Sequence, residues 1–94
     1  MDPRAWNDPV VILSRDLEKD GAPFTVEFAQ PVEDETGSYY CAIRVQGLEQ
    51  LRPVTAIYGV DEVHARDEAL KWADRVLSDL GGVTWNGDPD LGLV

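Results

Sequence analysis

The chain holds one imidazole, His64, and one thiol, Cys41, so the side chains most used for metal ligation and nucleophilic catalysis occur once each. Zinc and iron–sulfur centres take three or four convergent ligands, which this pair cannot supply. Glu33-Asp34-Glu35 and Asp88-Pro89-Asp90 offer carboxylates to calcium, but neither has the spacing of an EF-hand loop. Ser14, Ser38 and Ser78 have no Gly-x-Ser-x-Gly setting, and no glycine-rich phosphate loop occurs. Asp67 and Glu68 are neighbouring carboxylates on the solvent side of a predicted helix, where water competes for any proton transfer. The residue types therefore predict no catalytic residue, no metal site and no cofactor.

The elements that would position these groups follow from hydrophobic spacing. Val10-Val11-Ile12-Leu13 leads into Ser14–Glu18 as a first strand, and Asp20-Gly21 supplies a hairpin turn. Phe24 to Gln30 alternates, with Phe24, Val26 and Phe28 on one face and Thr25 and Glu27 on the other. After Pro31, the acidic stretch 33–38 predicts an exposed hairpin loop and a candidate contact site. Tyr39 to Gln46 alternates again, with Tyr39, Cys41, Ile43 and Val45 inward, which makes Cys41 a small core residue. Val54–Val60 reads as a fourth strand, and Val83-Thr84-Trp85 could add a short fifth.

Asp61 is a good N-cap and Gly81-Gly82 a strong stop, so a helix is expected over about 62–80. On its wheel Val63, Ala65, Ala69, Leu70, Trp72, Ala73, Val76, Leu77 and Leu80 fall in one half. His64 falls on the solvent side, away from Cys41. Arg66 falls inside the apolar half, where it either snorkels or meets a buried acid or ligand. Trp72 lies at the margin of that half and Trp6 in an N-terminal arm over residues 1–9. Both positions suit an aromatic covering a core edge or anchoring a partner. The fold class expected is α+β: a four-stranded, or five-stranded, antiparallel meander under one C-terminal helix, forming a single domain over 1–94 with a tail at 86–94.

Composition bounds the functional classes. Eighteen Asp and Glu against 8 Lys and Arg give a net charge of −10, which disfavours direct binding to phosphate backbones. No stretch approaches the roughly 18 apolar residues of a membrane span, and the N-terminus lacks a basic segment followed by an apolar core. A soluble chain in the cytoplasm, with no membrane partner, is the expectation. The acidity either keeps the domain soluble by self-repulsion or attracts a basic partner.

Tyr58-Gly59-Val60-Asp61, then Ala65 and Ala69-Leu70, then Trp85-Asn86-Gly87 with Asp90-Leu91-Gly92-Leu93 resemble a family of small uncharacterised bacterial domains. In that family a strand ending Tyr-Gly-Val-Asp opens a helix, and the chain closes with Trp-x-Gly and a Leu-Gly-Phe-Pro type of tail. The resemblance covers mainly the C-terminal half. It departs at Leu93-Val94, where Phe-Pro is usual, and at Arg66, where an apolar residue is usual. It implies an α+β fold and no activity.

Three function classes remain open. The first is a non-catalytic acidic module that occupies a basic, nucleic-acid-binding surface of a partner protein. Small phage-encoded antagonists of bacterial defence, anti-CRISPR proteins among them, and immunity proteins act as such nucleic-acid mimics. Its candidate contacts are Glu33, Asp34, Glu35, Asp67, Glu68, Arg66, Trp6 and Trp72. The second is a small-ligand site or weak enzyme around Arg66, Tyr58 and the C-terminal tail. The third is a homo-oligomer built through an exposed sheet face or edge.

Overall fold

The computed structural model describes Trp6 and residues 8–94; the arm expected over residues 1–9 lies otherwise outside the described residues. The elements run β1 (Val11–Lys19), β2 (Ala22–Ala29), β3 (Val32–Glu33), β4 (Tyr39–Gln46), β5 (Val54–Gly59), α1 (Glu62–Leu80) and β6 (Val83–Thr84). Every strand pairing is antiparallel, and the sheet lies under one C-terminal helix, which makes the fold α+β. β5, β4, β2 and β1 lie side by side as expected for a meander, and α1 then carries the chain back so that β6 pairs with the far end of β1.

Local chemistry explains each step. Asp20 and Gly21 both have positive φ (52° and 87°), the conformation of the tight turn whose twist matches a hairpin. Pro31 has no N–H to give a ladder, so β2 stops before it and β3 resumes beyond it on the same edge of β4. The acidic segment is thus shorter as a loop than the sequence suggested, because Glu33 pairs with Tyr39 before the chain turns.

The alternation in β2 and β4 places Phe24, Val26, Phe28, Cys41, Ile43 and Val45 in the core. Helix α1 meets them through Ala65, Ala69, Ala73 and Leu77, a four-residue repeat in which three small side chains let the helix lie close to the sheet. Gly59 permits the closest approach. A Cβ there would lie 2.7 Å from Ala65 Cα and 2.8 Å from the His64 carbonyl carbon.

The helix start is doubly tied. Asp61 Oδ1 accepts from the His64 backbone N–H at 2.8 Å, and the Val60 N–H donates to His64 Nδ1 at 3.0 Å. At the other end of the domain the tail closes the core with Leu91 and Leu93. Trp85 stacks there under the Arg15 guanidinium, 4.0 Å from its ring centre, and Arg15 Nη2 donates to the Gly92 carbonyl at 3.3 Å. A Cβ on Gly92 would strike the Trp85 ring. Gly59, Gly82 and Gly92 therefore hold places where the C-terminal half packs backbone against a neighbour, Gly82 against the Asp20 side chain.

The helix wheel needs two corrections. Val63, expected against the sheet, is 56% exposed, because the first turn of α1 projects past the strand ends. Arg66, expected in the apolar half, is exposed and snorkels along the helix to Asp67 Oδ1 at 3.3 Å, since the alanine stripe buries too narrow a band to cover it.

A candidate protein-interaction surface

Antiparallel pairing gathers several strand ends at one end of the sheet. Val11 lies opposite Ala29, Val32 opposite Tyr40, and Tyr40 opposite Tyr58. The first turn of α1 follows directly from β5, so Val60, Asp61, Glu62 and Val63 join the same end. All the exposed large apolar side chains recorded for the described residues, except Val94, lie here: Val10, Val11, Ile12, Val32, Tyr58, Val60 and Val63. Ile12 is the extra residue of a bulge in β1. The bulge turns it toward the helix side, where it shares a shallow groove of about 200 Å³ with Gln30, Pro31, Glu62, Val63 and Arg66.

The acidic loop hangs from the same end. Asp34 works inside it: its Oδ1 accepts from the Thr36 N–H at 2.8 Å, the Thr36 hydroxyl at 2.7 Å and the Ser38 N–H at 3.2 Å. That Asx turn points Glu33 and Glu35 into solvent. Four cations sit with acids: Lys19 with Asp20, Arg44 with Glu27 and Lys71 with Glu68 away from this end, and Arg66, which lines the groove, with Asp67. Among the described residues Glu33, Glu35 and Glu62 have no such partner, so the unneutralised field at this end is negative.

The other candidates are dispersed. Glu68 is shared between His64 Nε2 and Lys71 Nζ, each at 3.7 Å. Asp67 borders a second groove with Leu70, Lys71, Leu93 and Val94. Trp72 is half-buried against the core as a core-edge residue. Trp6 lies on the opposite face of the sheet, over Arg44 at 4.6 Å, and Arg44 in turn grips Glu27 through Nε at 2.9 Å and Nη2 at 2.8 Å. The two tryptophans do not share a surface.

Sequence reasoning missed Ile12, Val32, Val60 and Val63 as surface residues. The signal was present in Val60-Asp61: an apolar residue before an N-cap packs as a staple only against a bulky residue four positions into the helix, and here that residue is Ala65, buried under Gly59.

Cys41 is fully buried and its Sγ–H donates to the Ala29 carbonyl at 3.2 Å. Burial pushes its pKa up to about 11, with the positive charge of Arg66 opposing. His64 stands outside the core. Among the described residues no three His, Cys, Asp or Glu side chains gather where they could hold a metal ion, and no helix is long and apolar enough to cross a membrane.

An antiparallel sheet of meander order, closed by one helix and a returning edge strand, defines a small α+β domain whose one distinctive surface is an acidic, apolar sheet end. A domain family described as a domain of unknown function (DUF6968) matches residues 12–93, and the chain belongs to that family. The match reaches from β1 to the tail, well beyond the C-terminal patterns that first suggested a family. No curated protein and no solved structure matches the chain.

Proposed function

We propose that the domain is a non-catalytic protein-binding module that presents this sheet end to a basic surface of a partner protein, of the kind that otherwise holds nucleic acid. The observation that carries the reading is the coincidence of exposed Ile12, Val32, Val60 and Val63 with unpaired Glu33, Glu35 and Glu62. Acidic groups draw and orient a basic partner at long range, while apolar side chains supply contact area, each worth about 1.5 kcal/mol or more when fully buried. A net charge of −10 repels phosphate, so the domain competes with nucleic acid for the partner. Inhibition follows where the occupied surface is the partner's working one, as for an antagonist of a defence enzyme or an immunity protein.

The test is a pull-down of the tagged domain from host lysate at low and high salt, followed by competition with DNA. The expected result is a basic nucleic-acid-binding protein, retained at low salt and displaced by DNA and by salt as screening tightens. Charge reversal of Glu33 and Glu35 should weaken retention, whereas Asp34 is left alone because its carboxylate builds the loop. Retention indifferent to salt, DNA and both reversals would refute the reading.

The groove beside Arg66 favours a second reading, a small anionic ligand held by that guanidinium against Ile12, Pro31 and Val63. An Arg66→Ala variant that folds normally and keeps every ligand-induced thermal shift removes it.

A further inference from the structure

We infer that the open edge of β1 takes up an extended, basic segment of the partner as an added strand. The inference rests on the acidic-module reading above and specifies how that partner is held. β6 covers β1 only at Glu18 and Lys19. The Asp20 N–H donates to the Gly82 carbonyl at 2.9 Å, so Asp20 and, by the alternation of an antiparallel ladder, Glu18, Asp16 and Ser14 turn their backbone groups to that edge. Only the upper part of this row meets β6. Past the bulge, the Gln30 N–H donates to the Val10 carbonyl at 2.7 Å, which directs Val10 toward β2 and Val11 outward. Ser14, Asp16 and Val11 thus present peptide groups that no strand among the described residues satisfies, along an edge of about 17 Å at the usual rise per residue.

Natural sheets blunt such edges with lysine, proline or a bulge. This edge has a bulge but no lysine or proline between Val11 and Asp16; its one cation, Arg15, is half-buried and held on Trp85 and the Gly92 carbonyl, so the exposed side chains that select a partner by charge are acidic. Asp16 and Glu18 project from the outer face of β1, and Glu62 lies beside Ile12. A second copy pairing here would set acids against acids. A segment with Lys or Arg facing Asp16, within reach of Glu18, and an apolar residue over Ile12 and Val63 complements both. The other open edge, β5, carries no charged residue between Val54 and Gly59 and offers a basic segment no such pairing.

The probe is the octapeptide (Lys-Val)4, with two versions N-methylated on all valines or on all lysines. Methylation keeps charge and side chains but removes every second N–H, so one version must lose the donors that face the edge. The expected result by NMR titration at low salt is binding of the parent, slowed amide exchange at Val11, Ser14 and Asp16, and affinity at least tenfold weaker for one methylated version. Val11→Pro, which removes an outward N–H at an edge position that tolerates proline, should weaken the parent about fivefold. If both methylated peptides bind within twofold of the parent, or protection appears along Val54–Gly59 instead, strand addition at β1 is wrong while the acidic-module reading stands. If no version binds at low salt, both are wrong.

Discussion

Replacing Gly59 with alanine tests the packing on which the helix, and with it the candidate surface, depends. The glycine has an ordinary φ, so backbone strain is not the issue; the space is. The added methyl would lie 2.7 Å from Ala65 Cα, about 0.7 Å short of the 3.4 Å at which ordinary contact begins. The atoms it meets are backbone in the first helical turn and cannot rotate aside, so α1 must move as a body, lifting Ala65, Ala69 and Ala73 off the sheet. Overpacking of this kind costs about 1–3 kcal/mol, and a clash with backbone belongs at the upper end. For a domain of this size about 3 kcal/mol lowers the melting temperature by about 12–24 °C. The assay is thermal unfolding followed by circular dichroism at pH 7, with Gly37→Ala as the control. Gly37 has φ 87° and nothing within 4 Å of a built Cβ, so it carries only the conformational cost of roughly 1 kcal/mol. A Gly59→Ala melting temperature within 3 °C of the parent, or a drop no larger than that of Gly37→Ala, would refute the close-approach argument.

Other outcomes follow from single contacts. Asp61→Ala should cost about 1 kcal/mol in chemical denaturation, because it strips the N-cap from the His64 N–H. Arg44→Ala should cost about 2 kcal/mol, since it leaves half-buried Glu27 without its two-nitrogen partner and uncovers Trp6; a double-mutant cycle with Glu27→Gln that shows no coupling would contradict this. Cys41 makes stability depend on alkaline pH. Its thiol titrates near 9.0 when unfolded and near 11 when folded, so its share of stability is intact below pH 9 and is lost as pH rises through 11. The loss amounts to about 3 kcal/mol and should be absent from the pH profile of Cys41→Ala. The same burial should keep the thiol unreactive to Ellman's reagent until the domain unfolds.

What the sequence disclosed depended on whether a signal was local. Strands with alternating side chains, Phe24–Phe28 and Tyr39–Val45, declared both existence and the core-facing set, because that pattern needs no knowledge of the rest of the fold; Ala42, on the other face of β4, is buried as well, which alternation alone does not foretell. Asp20-Gly21 and Asp61 are likewise self-contained turn and cap signals. The wheel misplaced Val63 and Arg66 because a helix buries only as much as the sheet beneath it can cover, and neither the end of the sheet nor the narrowness of an alanine contact is written in the helix. Pro31 split one strand into two, a distinction invisible without the partner strand. The candidate surface was half legible: Glu33 and Glu35 stood out by charge, whereas Ile12, Val32, Val60 and Val63 looked like ordinary strand and helix residues until the topology brought their ends together.

The distribution of charge bears on why so acidic a domain should expose so many apolar side chains at one place. If repulsion served solubility alone, acids need only be spread evenly, and the sheet end could be polar. Among the described residues, unpaired acids such as Glu49, Asp74 and Asp79 do stand elsewhere on the surface, but only at the sheet end do they, as Glu33, Glu35 and Glu62, stand beside exposed Ile12, Val32, Val60 and Val63. A sheet end with apolar side chains on both faces and unpaired acids beside them is poorly suited to self-association, because two copies must bring those acids together at close range, where screening is weakest. The same acids are an attraction for a basic surface, and they act before contact. Charge at this end therefore separates partners by sign, and the apolar side chains set how firmly the accepted one is held.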